Sequence, residues 1–193
     1  MKYQDHSYYH IYNRGAHREK IFFQEDNYRY LTSLFLKNAR ESKVTIAAYC
    51  LMPNHYHIAA KQNLSGSLPA FMKKTFSAYT QAINKRFGLS GTLFQGQAKI
   101  KEITSNEYCL QVIRYIHLNP VTAKIVTSPD KWEYSNYLDW INQWNIGLMD
   151  KELRMAYFPD TQDYMQFVEE YKIEQQNTEL SKFFLRKTKS CNL

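Results

Sequence analysis

The sequence lacks the features of membrane-spanning and secreted proteins. No segment approaches the ~18 consecutive apolar residues of a transmembrane helix, and residues 1–6 contain no apolar signal segment. The 3 cysteines, at positions 50, 109 and 191, are odd in number and far apart, which fits neither a disulfide framework nor a zinc ribbon. No internal repeat or low-complexity segment is present. We therefore expect a cytoplasmic globular protein with reduced, non-catalytic thiols and no membrane partner.

Acidic residues are absent from a long central segment. Residues 42–101 contain no Asp or Glu, whereas eight basic residues occur there: Lys43, Lys61, Lys73, Lys74, Lys85, Arg86, Lys99 and Lys101. Aromatic residues lie between these bases. A positive field combined with aromatic side chains is what a nucleic acid with exposed bases requires of a binding surface. The pattern favours nucleic acid over the other interpretation, a solvated face on a protein of net charge +7.

Hydrophobic periodicity divides the chain into alternating strands and helices. Strands are predicted over residues 9–12, 44–51, 55–61 and 94–103. Helices are predicted over residues 26–40, 69–87 and 104–119. This order, β-α-β-β-α-β followed by a helix, is the ferredoxin-like α+β arrangement, an antiparallel sheet with two helices on one face. We expect the last helix to lie on the other face.

The last predicted helix has a start signal and a stop signal. Thr104 and Glu107 have the spacing of a capping box, which predicts the N-terminal end. Pro120 disfavours helical geometry in the residue before it, which predicts that the helix ends at Asn119.

His55 and His57 follow the turn Met52-Pro53-Asn54 at the start of a predicted strand. Residues i and i+2 of a strand point to the same face, so the two imidazoles would stand side by side. Such a pair can bind a metal ion. It can also be two partly buried histidines that are satisfied by hydrogen bonds, and the spacing alone leaves both interpretations open.

Tyr115 and Asn119 share a face of the last predicted helix, because residues i and i+4 are neighbours on a helix. A tyrosine beside a bound metal is a candidate nucleophile, since the metal favours the phenolate and polarises a phosphate. The chain has 16 tyrosines, and a core or surface position is the alternative for Tyr115.

Five segments carry a resemblance to a known family. They are Tyr-His-Ile-Tyr-Asn-Arg-Gly at 9–15, Tyr-Cys-Leu-Met-Pro-Asn-His-Tyr-His at 49–57, Leu-Phe-Gln-Gly-Gln at 93–97, Arg-Tyr-Ile-His-Leu-Asn-Pro-Val at 114–121 and Tyr-Ser-Asn-Tyr at 134–137. Together they resemble the single-tyrosine HUH transposases and, among these, the REP-associated tyrosine transposases. The resemblance covers residues from about 8 to 140 and implies the same ferredoxin-like core.

The resemblance also implies a role for each candidate site residue. His55 and His57 would be metal ligands, Asn119 would complete the metal shell, and Tyr115 would be the nucleophile. The family implies Mg²⁺ or Mn²⁺, although imidazoles by themselves favour zinc, copper or nickel. His117, two residues after the nucleophile on a helix, would face away from it and serve a structural or interfacial role.

The activity that the resemblance implies is that of a metal-dependent endonuclease and strand transferase. It would act on single-stranded or hairpin DNA through a 5′-phosphotyrosyl intermediate. One alternative is a non-catalytic hairpin DNA- or RNA-binding protein derived from a transposase. Another is a replication or conjugation initiator with the same chemistry, but such enzymes are larger. Monomer and homodimer remain equally open.

Contacts to DNA are expected from one arginine after the first strand and from basic residues of the second helix. These residues are Arg14, Lys73, Lys74, Lys85 and Arg86. Relatives have an arginine in the region of residues 95–97, where this chain has glutamines at both ends. The resemblance therefore gives no basis for a phosphate contact there.

Two regions are expected along the chain. Residues 1–126 would form the transposase core, and residues 127–193 a small helical extension packed on it. The extension begins with the aromatic residues Trp132, Tyr134, Tyr137 and Trp140. Its basic tail, from about residue 182, is expected to be mobile.

Overall fold

The computed structural model of the protein describes residues 3–142 and 148–174. The strands of these ranges are β1 (Tyr8–Arg14), β2 (Val44–Met52), β3 (His55–Gln62) and β4 (Lys99–Ile103). Their helices are α1 (Glu25–Glu41), α2 (Leu68–Phe87), α3 (Asn106–Thr122), α4 (Tyr137–Asn142), α5 (Lys151–Tyr157) and α6 (Thr161–Glu174). The order of the strands and α-helices up to α3, β1-α1-β2-β3-α2-β4-α3, confirms the prediction.

The four strands form one antiparallel sheet in the order β2-β3-β1-β4. This is the ferredoxin-like topology that the element order predicted. In the pairing of β1 with β3, Tyr12 lies opposite His57 and Arg14 lies opposite His55. Because directly paired residues point to the same face of a sheet, these four side chains share one face.

The sheet separates two hydrophobic cores. The face that carries Ile11 and Ile58 packs against α1 and α2. The opposite face, which carries Ala59, packs against α3 and the helices that follow it. Alternation along each strand produces this division. As predicted, α3 occupies the face that α1 and α2 leave uncovered.

The ends of α2 follow from its sequence. The Ser67 side chain accepts a hydrogen bond from the amide of Ala70, and Pro69 lies in the first turn, where its missing N–H has no consequence. Gly88, with a φ of +62°, ends the helix in the left-handed region that glycine adopts without strain.

The predicted start and end of α3 are both wrong. The N-cap is Ser105, whose hydroxyl accepts from the amide of Tyr108 at 3.1 Å, instead of Thr104. The helix also continues through Pro120 to Thr122. Residues 118–120 are buried, and the amides of residues 123–125 donate to the carbonyls of residues 119–121, so packing and capping outweigh the one hydrogen bond that proline removes.

The predicted fourth strand is also too long at its start. β4 begins at Lys99, and Phe94 forms only an isolated bridge with Gly15. Gly96 has a φ of +67°, which takes the backbone out of the extended region between Phe94 and β4.

The outer edge of β2 is covered by residues 132–140. Asn136 accepts from the amide of Tyr49 at 2.8 Å and donates to the carbonyl of Ala47 at 3.0 Å. The Trp140 indole donates to the same carbonyl, and the amide of Leu51 donates to the carbonyl of Tyr134. Backbone groups that an edge strand would expose are thereby paired.

Several sequence expectations concern thiols and the chain end. Cys50 and Cys109 are buried, and burial raises the pKa of both thiols, to about 12 for Cys109, which agrees with a non-catalytic role.

Cys191 and the basic tail from residue 182 lie outside the described residues, and the boundary at 126/127 stays a prediction. None of the helices within residues 3–142 and 148–174 combines the length and the hydrophobicity of a membrane span.

Candidate active site

Residues from two distant parts of the chain meet at the β2–β3 turn. His55 is the first residue of β3, and its ring lies 5.3 Å from that of His57, centroid to centroid. Across the sheet surface, α3 places the Tyr115 ring 5.4 Å from the His57 ring. The Asn119 Oδ1 atom lies 3.0 Å from His55 Nε2. The four residues predicted from the sequence as ligands and nucleophile are therefore neighbours.

Asn119 keeps helical geometry although a proline follows it. Its backbone carbonyl accepts from the amide of Ala123 at 2.9 Å, a normal helical hydrogen bond. Its side chain therefore lies one turn beyond Tyr115 on the same face of α3. Asn119 is 6% exposed and Tyr115 8%, so the core holds both side chains in place.

His55 has an amide oxygen beside each of its two ring nitrogens. Nδ1 lies 2.7 Å from Asn54 Oδ1, and Nε2 lies 3.0 Å from Asn119 Oδ1. Burial lowers the pKa of His55, against a raising effect of the contact with Asn119. A neutral imidazole has one N–H, so it can donate to only one of the two amide oxygens.

When His55 donates to Asn54 from Nδ1, its Nε2 and the Asn119 Oδ1 become two lone-pair donors 3.0 Å apart. Adjacent ligands in an octahedral shell with bonds of about 2.1 Å are separated by about 3 Å. This pair of atoms therefore fits one edge of the coordination shell of a divalent cation.

His57 has a partner that the sequence analysis missed. Its Nδ1 lies 3.0 Å from Nε2 of His10, a buried residue of β1. Burial first, and then the proximity of His10 and His55, lower the pKa of His57 well below the usual value. Burial, with a smaller effect of Lys101, lowers the pKa of His10 to about 3. Both rings are therefore neutral near pH 7, the form in which imidazole binds metals.

An aromatic and basic rim adjoins the histidines. The Tyr12 ring stacks on that of His57 at 5.6 Å, and Lys99 Nζ lies 6.0 Å from the centre of the Tyr12 ring. Lys99 pairs with Tyr12 across β1 and β4, and Lys101 pairs with His10. Both lysines therefore lie on the sheet face that carries the candidate ligands.

Arg14, which was predicted to follow the first strand, is instead the last residue of β1 and lies on this face, opposite His55. Its guanidinium hydrogen-bonds the Gln95 side chain, and the amide of Gln95 donates to the Arg14 carbonyl at 2.9 Å. Arg14, Arg18 and Phe94 line an open pocket of about 520 Å³. One glutamine that departs from the family pattern thus orients an arginine beside the site.

The four basic residues predicted on α2 are not near Tyr115, because α2 packs on the opposite face of the sheet. Lys74 pairs with Glu41 at 3.0 Å. Arg86 lies 3.7 Å from Asp26 and donates to Gln24 at 2.7 Å. Lys73 and Lys85 belong to the same helix. Contact of these four residues with DNA stays a prediction.

A sequence model of the IS200-like transposase family matches residues 3–119. The chain belongs to this family. A solved structure of a REP-associated tyrosine transposase bound to a REP hairpin is 18% identical and has a TM-score of 0.61, over 77% of this chain and 87% of that one. A putative transposase from Deinococcus radiodurans is 17% identical with a TM-score of 0.43, over 60% and 92% of the respective chains. No curated protein matches the chain.

The match to the REP-associated transposase shows that this IS200-like family member has the same fold. The family model, which matches residues 3–119, confirms the transposase family predicted from the five sequence segments. The family match ends at Asn119 and so includes both histidines, Tyr115 and the last candidate ligand.

The set of candidate metal ligands in this IS200-like family member is small and uncharged. In the part of the chain that the structure describes, no group of three or more His, Cys, Asp or Glu side chains could hold a metal ion. The candidate set is two imidazoles and one carboxamide. Such a set leaves most positions of a divalent ion to water and phosphate oxygens, which fits Mg²⁺ or Mn²⁺ bound together with DNA.

His117 connects α3 to the helices that follow. Its Nε2 lies 3.0 Å from Asn136 Oδ1, and its Nδ1 lies 2.6 Å from the Tyr164 hydroxyl. Because an amide oxygen only accepts, Nε2 carries the proton and Nδ1 accepts from Tyr164. His117 is fully buried, and these contacts agree with the structural role predicted for it.

Sequence reasoning missed His10, Tyr12 and Lys99 as neighbours of the site. His10 and Tyr12 alternate in β1 just as His55 and His57 alternate in β3. That alternation was the available signal, but it indicates a shared face only when β1 is known to pair with β3 in this register.

Proposed function

We propose that the protein is a metal-dependent endonuclease and strand transferase that acts on single-stranded or hairpin DNA. The observation that carries this proposal is the meeting of Tyr115 with His55, His57 and Asn119 within one chain. Membership of a transposase family and a neighbour bound to a REP hairpin support it.

His55, His57 and Asn119 would hold Mg²⁺ or Mn²⁺, which when bound polarises the scissile phosphate and stabilises the charge that develops on it. The Tyr115 oxygen attacks phosphorus in line and forms a tyrosyl–phosphate bond, while the bond from phosphorus to the 3′ oxygen breaks. The proton of Tyr115 leaves the phenol, and the departing 3′ oxygen gains one. The 5′ phosphate therefore stays on the protein, and the other fragment ends in a 3′-hydroxyl.

Rejoining is the reverse of cleavage. The phosphotyrosyl linkage is a phosphodiester, like the bond that was broken, so a 3′-hydroxyl can attack it without an added energy source. Tyr115 then regains its proton. Its packing against the His57 and His10 rings keeps the phenol at the site between the two steps.

The neutral ligand set has an electrostatic consequence for DNA binding. Two uncharged imidazoles and a carboxamide leave the double charge of the cation uncompensated. The arrangement therefore favours a phosphate as an additional ligand. We expect the metal to bind the protein–DNA complex more tightly than the protein alone, and DNA to bind the metal-loaded protein more tightly than the metal-free protein.

The bases proposed to contact DNA fall into two groups. Arg14 adjoins His55, and we add Lys99 and Lys101 because they share its sheet face. Lys73, Lys74, Lys85 and Arg86 lie across the sheet, on α2. A strand at Tyr115 meets the first group, whereas the second can meet only a hairpin stem that passes the edge of the sheet.

The deciding experiment uses a pool of hairpin oligonucleotides labelled at the 3′ end, because the linkage retains the 3′ fragment on the protein. With Mn²⁺, a labelled covalent adduct should appear on a denaturing gel and should disappear with chelator. A non-catalytic hairpin-binding protein, the second candidate, would retain the label only on native gels. Adduct formation without any divalent ion would remove the proposed role of the histidines.

A further inference from the structure

His10 contacts the candidate ligand His57 from the neighbouring strand. The His10 Nε2 and His57 Nδ1 atoms are 3.0 Å apart, and the ring centroids are 5.2 Å apart with 23° between the ring planes, so the two rings meet edge to edge. His10 is 4% exposed and His57 8%. Water cannot readily replace either partner, so one proton between these two nitrogens determines the state of the pair.

The two candidate ligands are supported in the same way. His55 presents Nδ1 to Asn54, and His57 presents Nδ1 to His10. In each case the ring nitrogen left for a metal is Nε2. For His55, donation from Nδ1 to the acceptor Asn54 Oδ1 is the tautomer that leaves the Nε2 lone pair for a metal beside Asn119 Oδ1. An imidazole can donate or accept, and the direction of the bond from His57 therefore matters.

Only one direction of this hydrogen bond is compatible with metal binding. If His57 donates from Nδ1, its Nε2 keeps a lone pair and can bind a cation. If His10 donates from Nε2, the proton of neutral His57 lies on Nε2 and blocks that atom.

We propose that His10 is a positioning residue that accepts the Nδ1 proton of His57 and so holds His57 in the tautomer with Nε2 available to a metal. The proposal rests on the proposed metal-binding function of His57. A hydrogen bond of this kind orients the ligand ring and increases the basicity of the nitrogen that binds the metal.

The packing around His10 supports this role over that of a third ligand. Its ring lies 5.0 Å from the Tyr12 ring and 6.2 Å from the Tyr115 ring, so aromatic contacts restrict its rotation. Its Nε2 is engaged by His57. His10 therefore acts through His57, and its position also places it against the candidate nucleophile.

The first test reads the tautomer in the wild-type protein without metal. Long-range ¹H–¹⁵N correlation spectra of histidine-labelled protein distinguish a proton on Nδ1 from one on Nε2. We expect His57 to carry its proton on Nδ1 and to lose this preference in His10→Leu. A wild-type His57 with the proton on Nε2 would overturn the proposal, and this result requires no variant to fold.

The second test measures Mn²⁺ affinity by electron paramagnetic resonance, with hairpin DNA present and in a Tyr115→Phe background that prevents cleavage. His10→Leu should weaken Mn²⁺ binding about 10- to 100-fold, the range seen when outer-shell partners are removed. His10→Gln, whose side-chain oxygen can accept the same proton, should recover most of the loss. His6→Gln, at an exposed histidine, is the matched control.

These outcomes separate the inference from the proposed function. Wild-type affinity in His10→Leu, or equal losses in His10→Leu and His10→Gln, would contradict the positioning role. Failure of the wild-type protein to bind Mn²⁺ under any condition would instead contradict the metal-dependent function, whereas the tautomer of His57 would still be measured independently.

Discussion

The carboxamide oxygen of Asn119 lies 3.0 Å from Nε2 of His55, although 64 residues separate them in the sequence. The contact joins the last turns of α3 to the first residue of β3. It exists because α3 continues past Pro120 and stays against the sheet. The end of one helix therefore determines whether the candidate metal site has two protein ligands or three.

Substitution of Asn119 should change metal affinity in opposite directions. Asn119→Ala removes an oxygen ligand and should weaken Mn²⁺ binding by roughly tenfold or more, as the loss of even an outer-shell partner does. Asn119→Asp supplies a charged oxygen and should tighten Mn²⁺ binding in the absence of DNA. Titrations followed by electron paramagnetic resonance measure both. Identical affinities in the two variants would show that Asn119 is not a ligand.

Tyr115→Phe should abolish the covalent adduct and leave hairpin binding nearly unchanged, because only one oxygen is removed from a buried ring. The matched control is Tyr108→Phe, which alters a partly exposed tyrosine on the same helix. Denaturing and native gels with 3′-labelled hairpin measure the two properties. An adduct that persists in Tyr115→Phe would show that Tyr115 is not the nucleophile, and its loss in Tyr108→Phe would assign that role to Tyr108.

The two groups of basic residues should differ in the DNA that they hold. Lys99→Gln with Lys101→Gln should weaken binding of a single strand without a stem and lower the log-log salt slope by ~0.7 per lost phosphate contact. Replacing Lys73, Lys74, Lys85 and Arg86 by Gln should weaken only substrates with a stem. The measurement is the affinity of each variant for DNA with a stem and for DNA without one, at several salt concentrations. If the α2 set alone affects the single strand, the proposed DNA path lies on the wrong face.

The buried carboxyl group of Asp150 should make the free energy of unfolding depend on pH. Burial raises the pKa of this carboxyl, but hydrogen bonds from the amide of Leu153, from Lys61 and from the Tyr8 hydroxyl outweigh burial and hold the pKa below 3.8. A lowered pKa in the folded state stabilises the fold above pH 3.8, and this contribution disappears as the pH falls through the folded-state value.

Asp150→Asn should therefore lower the free energy of unfolding at neutral pH by about 1–3 kcal/mol, because Lys61 loses its partner. The difference from the wild type should shrink as the pH falls below 3.8. Urea denaturation of the wild type and the variant, at neutral pH and again below pH 3.8, measures this difference in the free energy of unfolding. A difference that does not depend on pH would mean that the carboxylate charge is not what stabilises this contact.

Local spacing was sufficient to predict part of the site. His55 and His57 are two residues apart on a strand, and Tyr115 and Asn119 are four apart on a helix, so each pair shares a face whatever the remaining fold is. The meeting of the two pairs required the topology, which the order of elements predicted. Family motifs and local periodicity therefore agreed on these four residues.

His10 and the basic residues could not be placed in the same way. A shift of one residue in the pairing of β1 with β3 would move His10 to the opposite face, and nothing local specifies that register. The acid-free segment predicts the sign of a surface charge, but it includes both α2 and the first three residues of β4. These elements present their bases on opposite sides of the sheet, which only the packing of α2 determines.

The segment matched by the transposase family ends at Asn119, yet the strand before the histidines depends on residues beyond it. Asn136 and Trp140 saturate the carbonyl of Ala47, and Asn136 also binds the amide of Tyr49. A chain cut after α3 would keep every candidate ligand but would leave the Ala47 carbonyl and the Tyr49 amide of β2 unpaired. The exposed edge of β2 could then pair with a strand of another chain. We therefore expect that the segment matched by the family model would be more prone to aggregation by itself than the longer chain that contains Asn136 and Trp140.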